Sequence, residues 1–169
     1  MLSFTGEGVI ALFDHTHYFT ESKAAAEALH AAEKIRDRIF ELVKTAPASA
    51  DIRGITLRAG LHFGKVFVPS SGHLRQQAIG RDVVITTRLC DWISKTIEPA
   101  VPEDTREMIV AISEAFADRL PKGTRQEFRE WGKAKFKGLH DEVTVFIEKR
   151  YSFAPRIADS ASTTRKRAR

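Results

Sequence analysis

The sequence contains a single cysteine, Cys90, so the chain cannot form an internal disulfide. It also lacks any apolar run near the roughly 18 residues that a membrane-spanning helix needs. Its first residues include a glutamate and two glycines, where a signal peptide has basic residues followed by an apolar segment. These absences predict a soluble cytoplasmic protein. The length of 169 residues is enough for one domain with its own core.

Positive charge is concentrated at the C-terminal end of the chain. The net charge is +5, and residues 151–169 contribute +4 of it through five basic residues and one acid. Residues 150–169 also show no hydrophobic periodicity, which predicts a disordered basic tail after a domain of residues 1–149. Because the excess charge lies outside the predicted fold, a nucleic-acid-binding surface is not indicated.

Hydrophobic periodicity predicts the element order ββαββαβαββ. Helices are expected over about residues 22–44, capped by Ser22, over about residues 82–97, and from Ser113 to Leu120. Strands are expected in an N-terminal hairpin and at residues 55–64, 65–68, 108–112, 127–136 and 143–148. Neighbouring strands joined by tight turns then predict an antiparallel α+β sheet with its helices on one side.

The second long helix has two distinct faces. Its apolar stripe predicts a buried side, made of Ile85, Leu89, Trp92, Ile93 and Ile97. A different face carries Val84, Arg88, Asp91 and Lys95.

Two short polar patterns are candidate metal ligands. Gly6-Glu7-Gly8 at the hairpin tip presents one carboxylate that a divalent cation could reach, although for the tripeptide alone an exposed turn is the favoured interpretation. His15 and His17 have the spacing of a metal-binding pair. With no third ligand nearby, a solvated loop over residues 14–20 is the favoured interpretation.

Four stretches resemble the motifs of class III adenylate and guanylate cyclases, in the family's order. Residues 3–13, SFTGEGVIALF, resemble the metal hairpin usually written K-F-T-G-D-G-V-L-A-x-F. Residues 57–68 are similar to the strand motif G-[IL]-H-x-G-x-V-x-V, and residues 79–89 resemble I-G-D-x-V-N-x-A-A-R-L. Residues 136–146 resemble the closing L-K-G-[IL] turn and strand. Together the resemblance covers about residues 2–149.

The resemblance implies a ferredoxin-like βαββαβ core of the nucleotide cyclase type, acting as a homodimer or heterodimer with active sites at the interface. It implies conversion of ATP, or less readily GTP, to a 3′,5′-cyclic nucleotide and pyrophosphate. Two Mg²⁺ or Mn²⁺ ions held by two aspartates would assist the reaction.

The resemblance also assigns roles to individual residues. Arg88 stands where the family has an arginine that stabilises charge on the α-phosphate, and Lys137 where a lysine grips the terminal phosphates. Glu7 takes the place of the second metal aspartate. The remaining implied substrate-binding positions are Ser3 and Gln77, which stand at the purine-reading positions, and the hairpin glycines Gly6 and Gly8.

The chain departs from the family pattern at several positions. Glu7 carries its carboxylate roughly one ångström further than aspartate does, and Mg²⁺ is strict about geometry. Val84 replaces the ribose-orienting asparagine and can make no hydrogen bond. The family's first strand, with the first metal aspartate, has no counterpart. We expect either a fragment with a misplaced start or a remnant that needs a partner to complete its sheet.

Three functions remain open from the sequence. The first is an adenylate cyclase domain in second-messenger signalling, whose activity in this chain is weak or absent. The second is an inactive cyclase-homology module that binds a nucleotide or a partner cyclase, as Glu7, Val84 and the missing first metal aspartate indicate. For the two retained residues the alternatives are that Arg88 merely pairs with Asp82 or Asp91 and that Lys137 is a solvated turn lysine. The third, an RNA-binding α+β domain, is disfavoured because no Gly-Phe-[Gly/Ala]-Phe pattern occurs.

Overall fold

The structure is a computed structural model that describes residues 2–5, 8–47, 56–69, 78–101 and 108–151. In these ranges the elements follow one another in this order: β1 (Leu2–Thr5), β2 (Gly8–Ala11), α1 (His15–Tyr18), α2 (Glu21–Thr45), β3 (Arg58–Leu61), α3 (Arg81–Trp92), β4 (Ile109–Ser113), α4 (Glu114–Ala117), α5 (Lys122–Arg125), β5 (Phe128–Lys135) and β6 (Glu142–Glu148). A π-helical turn, Ile93–Ile97, and a 3₁₀ turn, Glu98–Ala100, extend α3.

The strands form two sheets. β1 and β2 pair antiparallel in a sheet of their own, while the other strands form a four-stranded sheet in the spatial order β3-β4-β6-β5. Within it β3 and β4 are parallel, and β6 runs antiparallel to both of its neighbours. The predicted antiparallel sheet is therefore wrong for β3 and β4. The connection between them contains α3, and a crossover through a helix returns the chain in the same direction.

Helices cover both faces of the four-stranded sheet. Along β4, Ile109 and Ala111 pack in the cluster that contains the apolar side of α3. The alternate residues Val110 and Ile112 pack with the alanine-rich first half of α2. Successive side chains of a strand point to opposite faces, so the prediction that the helices lie on one side is wrong.

The two long helices are confirmed. The α2 helix runs from Glu21 to Thr45, but its cap is Thr20, whose hydroxyl accepts a hydrogen bond from the Lys23 amide at 3.1 Å. The prediction of Ser22 as the cap is wrong by two residues. All five apolar residues predicted on one side of the second helix are buried there, from Ile85 to Ile97. Ser113 does cap α4, although that helix ends at Ala117 and not at Leu120.

The predicted strands agree less well in the middle of the chain. β5 and β6 match their predictions closely, whereas β3 is four residues long. Residues 65–68 do not form the expected strand, since Phe67 makes only one isolated antiparallel bridge, to Ile79. The polar segment after the hairpin contains α1, which Asp14 caps by accepting a hydrogen bond from the Thr16 amide.

The described chain continues two residues past the predicted end of the domain at residue 149. Tyr151 is buried, and Arg150 donates a hydrogen bond to the Met108 carbonyl at 3.2 Å. The rest of the predicted tail, residues 152–169, lies outside the described residues. Within the described ranges, no helix has the length and apolar character needed to cross a membrane.

Candidate functional site

The first turn of α3 has a solvent-facing side, and a glycine, Gly80, directly precedes the helix. Gly80 precedes the helix with φ of 143°, a conformation that side-chain-bearing residues rarely adopt. Arg81, Val84 and Arg88 then recur at helical spacing, on a side of the helix adjacent to the stripe that contains the buried Ile85 and Leu89. Arg81 and Val84 are exposed on this side, whereas the Arg88 side chain is 37% exposed.

The turn between β5 and β6 lies against this helix because they share a core. Phe136, before the turn, is buried in the cluster of α3, and Leu139, within the turn, packs against that cluster. The Leu139 amide donates to the Phe136 carbonyl at 3.1 Å, which closes the turn. Gly138 has φ of 86° and supplies the left-handed conformation that this closure requires. The turn is thus held at a fixed position beside α3.

A cleft of about 300 Å³ separates the helix from the turn. Its lining consists of Arg81, Val84, Gly138, Leu139, His140 and Asp141. An ion pair spans it, with Arg81 Nη2 at 2.7 Å from Asp141 Oδ2. Both side chains are more than half exposed, so this pair contributes little to stability, and an anion that enters can replace the carboxylate as the partner of Arg81. The arrangement can bind a phosphate or another small anion.

Arg88 lies one helical turn beyond Val84 and does not line the cleft. Its Nη1 donates to Asp91 Oδ2 at 2.7 Å, which confirms one of the two ion pairs considered from the sequence. The other, with Asp82, is not formed, because the Asp82 carboxylate accepts from the Lys65 amide at 2.6 Å. Arg88 Nε is buried without a hydrogen-bond partner among the described residues.

Lys137 occupies the first position of the turn, directly after the buried Phe136. Its side chain is exposed, and the described residues offer it no ion pair within 4 Å. Lys137 lies two residues before the lining residue Leu139 in the sequence, but Lys137 itself does not line the cleft. The structure therefore places Val84 and the closing turn on the same cleft, whereas Arg88 and Lys137 belong to the same two segments but do not line it.

The other predicted site positions belong to the hairpin and to the loop before α3. Gly6, Glu7 and Gln77 lie outside the described residues. Ser3 pairs with Ile10 across the hairpin, and the exposed Gly8 begins β2 opposite Thr5.

Among the described residues, no three histidine, cysteine, aspartate or glutamate side chains form a group that could hold a metal ion. Glu7, the residue expected to hold Mg²⁺ or Mn²⁺, lies outside the described residues. His15 and His17 are exposed, with the Asp14 carboxylate at 4.0 and 3.8 Å and the Thr16 hydroxyl at 3.4 Å from His17 Nδ1. They are solvated as expected, but they lie in α1 and not in the predicted loop.

Sequence reasoning missed a buried polar array at the other side of the first turn of α3. His62 Nδ1 lies 2.7 Å from Ser113 Oγ, and His62 Nε2 lies 3.3 Å from Asp82 Oδ1. Burial lowers the pKa of His62 below its usual value, and the charge of Asp82 acts in the opposite direction. The available signal was the predicted Ser113 cap, but the pairing joins residues from three distant segments and has no local pattern.

No protein-family model, no curated protein and no solved structure matches this chain.

Proposed function

We propose that this chain is a class III nucleotidyl cyclase-type domain that binds the phosphates of a purine nucleoside triphosphate, ATP in the first place, between α3 and the β5–β6 turn. One observation carries the proposal. Two stretches that resemble separate family motifs, around Val84 and around Gly138, line the same cleft although 54 positions separate them in sequence.

The charges around the cleft favour a polyanion. Arg81 lies in its lining, and Lys137 and Arg88 project from the same two elements. Guanidinium groups match phosphate oxygens with paired donors, and an exposed lysine adds a mobile point charge. Asp141 and Asp91 partly neutralise the positive charge of the site. When a phosphate enters, Arg81 and Arg88 exchange these carboxylate partners for the phosphate.

Turnover by this chain is expected to be weak or absent. Val84 offers no hydrogen bond to a ribose hydroxyl, so the sugar would be held less firmly than the phosphates. The described residues contain no group of three metal ligands, and Glu7 would be a displaced ligand in the hairpin. We therefore derive no step through a metal ion, and binding without cyclisation is the form of the proposal that the residues favour.

The ferredoxin-like topology and the dimer remain part of the proposal. Phe67, Ile79 and Val84 are exposed apolar side chains near the start of α3, and they offer apolar area to a second chain. Sedimentation equilibrium of the purified protein measures whether it forms a homodimer. A monomer that associates only with a separate cyclase chain would favour the heterodimer.

The experiment is a calorimetric titration with ATP, inorganic tripolyphosphate and AMP. We expect ATP and tripolyphosphate to bind and AMP to bind at least tenfold more weakly, since charge-assisted hydrogen bonds contribute about 1.5–3 kcal/mol each. Lys137→Ala should weaken tripolyphosphate binding, whereas substitution of Lys133, an exposed lysine on the preceding strand β5, by alanine should not. Equal affinity for AMP and ATP, or equal effects of the two lysine variants, contradicts the proposal.

An assay for cyclic nucleotide with ATP or GTP and Mn²⁺ separates the enzyme from the binding module. Robust product formation that falls sharply in Arg88→Ala would establish a cyclase. If product is absent, the double variant Glu7→Asp and Val84→Asn should create activity where the chain had none. Absence of product in both proteins would mean that Glu7 and Val84 are not what prevents turnover, and only the phosphate binding described above would then remain of the proposal.

A further inference from the structure

Three polar side chains from three separate elements meet beneath the first turn of α3. His62 follows β3, Asp82 lies in the first turn of α3, and Ser113 is the last residue of β4. The two contacts of the His62 ring, 2.7 Å to Ser113 and 3.3 Å to Asp82, connect all three elements. The His62 side chain is 9% exposed and Ser113 is 1% exposed, so water has little access to their contact, whereas the Asp82 side chain at the other end of the array is 24% exposed.

The hydrogen bonds assign one tautomer to the His62 ring. Ser113 Oγ already accepts from the Phe116 amide at 3.2 Å, and its single hydrogen is then available to the ring nitrogen Nδ1. Nε2 faces the Asp82 carboxylate, which can only accept, so the proton of the neutral ring belongs on Nε2 and Nδ1 accepts the Ser113 hydrogen. The second oxygen of Asp82 accepts from the Lys65 amide. Each member of the array has a partner with the correct polarity.

A hydrolytic triad is excluded by the same geometry, although serine, histidine and aspartate are the residues of such sites. A nucleophilic hydroxyl must be reachable by its substrate, whereas Ser113 is fully buried and caps α4. The array consequently has a structural task within the fold.

Two glycines show how closely α3 approaches the segment that carries His62. A Cβ at Gly60 would meet the Thr86 carbonyl oxygen and lie 2.8 Å from Leu89 Cβ. A Cβ at Gly64 would collide with the Asp82 carboxylate. Apolar packing fixes the distance of the helix from the sheet, and the directional bonds of the array further restrict its position along its axis.

We propose that His62 is a positioning residue: the Ser113–His62–Asp82 array holds the first turn of α3 in register with β3 and β4, so that Arg81 and Val84 face the β5–β6 turn before a ligand arrives. The identity of the ligand rests on the proposed function, whereas the anchoring does not. Preorganisation of this kind strengthens binding because the ligand does not have to order the helix end.

The test compares three variants of His62 in the full chain. His62→Phe keeps a ring and removes both polar contacts. His62→Asn can retain an acceptor toward Ser113, and His62→Gln can retain a donor toward Asp82. His30→Gln, an exposed histidine on α2, is the matched control. Backbone amide NMR spectra report the position of Arg81 and Val84 in each protein, and titration with inorganic tripolyphosphate reports the cleft.

We expect His62→Phe to shift the Arg81 and Val84 amide resonances and to raise the tripolyphosphate dissociation constant about fivefold, as one lost hydrogen bond does. In His62→Asn or His62→Gln the resonances and the dissociation constant should lie closer to those of the unaltered protein. His30→Gln should change neither the resonances nor the dissociation constant. Unchanged resonances in a folded His62→Phe would overturn the proposal. Should that variant not fold, histidine nitrogen NMR of the unaltered protein decides, because an Nδ1–H tautomer at pH 7 would equally overturn it.

Failure of the proposed function gives a different result. If the unaltered protein binds no tripolyphosphate, the phosphate site is wrong. A shift of the Arg81 and Val84 resonances in His62→Phe would still support the anchoring.

Discussion

Asp91 Oδ2 lies 2.7 Å from Arg88 Nη1, so the arginine predicted to meet a phosphate already has a carboxylate partner on its own helix. The two side chains are 37% and 51% exposed. Pairs of this kind contribute only about 0.3–0.5 kcal/mol, whereas a charge-assisted hydrogen bond to a phosphate contributes about 1.5–3 kcal/mol. The Asp91 carboxylate therefore competes with a phosphate for Arg88, but it is too weak a partner to keep Arg88 from binding the phosphate.

Asp91→Ala should strengthen tripolyphosphate binding about twofold, which is the affinity equivalent of the lost surface pair. Titration calorimetry measures the effect. Glu41→Ala is the control, since Glu41 pairs with Arg38 at the same spacing of three residues on α2 and both side chains are exposed. Weaker binding in Asp91→Ala, or an equal change in both variants, would show that Arg88 does not reach the ligand.

Gly60→Ala should destabilise the fold by about 1–3 kcal/mol, as overpacking of a tight contact does. The added methyl group would press against the backbone of α3 at Thr86, which cannot rotate away as a side chain can. Urea denaturation measures the loss. Gly123→Ala is the matched control because a Cβ there has no neighbour within 4 Å, and we expect its stability to be unchanged or to rise by up to about 1 kcal/mol. Equal midpoints in the two variants would contradict the close packing of β3 on α3.

The elements that the sequence predicts well are those whose periodicity is local. The buried stripe of α3, from Ile85 to Ile97, is complete because a 3.6-residue spacing needs no knowledge of the partner surface. The β5–β6 hairpin is equally local, and its turn is where Lys137 and Gly138 indicated it.

The failures arise where a distant residue decides the conformation. The amide of Lys65 donates to Asp82, 17 residues away, and does not join a strand ladder, so the predicted strand at residues 65–68 reduces to one bridge at Phe67. The parallel pairing of β3 and β4 likewise depends on α3 passing between them. Of the candidate site, the outward face of α3 and the turn were predictable, whereas the Arg81–Asp141 pair and the His62 array were not.

Acid should destabilise the protein through His62. Burial lowers the pKa of this histidine below its ordinary value of 6.5, so the unfolded chain takes up a proton at a pH where the folded protein does not. The stability that the neutral ring contributes is therefore present above about pH 6.5 and is lost as the pH falls through that value. The charged groups of α3 act on the ring in opposite directions, since Asp82 favours the protonated form and Arg81 disfavours it.

The measurement is the free energy of unfolding at pH 7.5 and at pH 5.5, from urea denaturation of the unaltered protein and of His62→Gln. Between pH 7.5 and pH 5.5, His62→Gln should lose up to about 1 kcal/mol less stability than the unaltered protein. The uptake of one proton per molecule changes the free energy of unfolding by at most about 1.4 kcal/mol per pH unit. Burial also raises the pKa of Glu148, but that contribution is common to both proteins and cancels in the difference. An identical loss in both proteins would mean that His62 is protonated in the fold as readily as in the unfolded chain.

The ion pair between Arg58 and Glu98 should contribute more to stability than an exposed pair. Arg58 Nε and Nη2 donate to the two carboxylate oxygens of Glu98, whose side chain is only 11% exposed, and the contact ties β3 to the turn after α3. Arg58→Ala removes both donors from a buried carboxylate, which costs about 1–3 kcal/mol. The stability of Arg58→Lys should lie between that of the unaltered protein and that of Arg58→Ala, because an ammonium group cannot reproduce the paired hydrogen bonds of a guanidinium group.

Arg38→Ala is the control for this effect. Arg38 pairs with Glu41 at 3.1 Å, and both side chains are about 70% exposed, so its loss should cost less than about 0.5 kcal/mol. Urea denaturation of the three variants at pH 7 ranks them. If Arg58→Ala costs no more than Arg38→Ala, the paired donors of Arg58 stabilise the buried carboxylate of Glu98 no more than an exposed pair does, and the prediction is wrong.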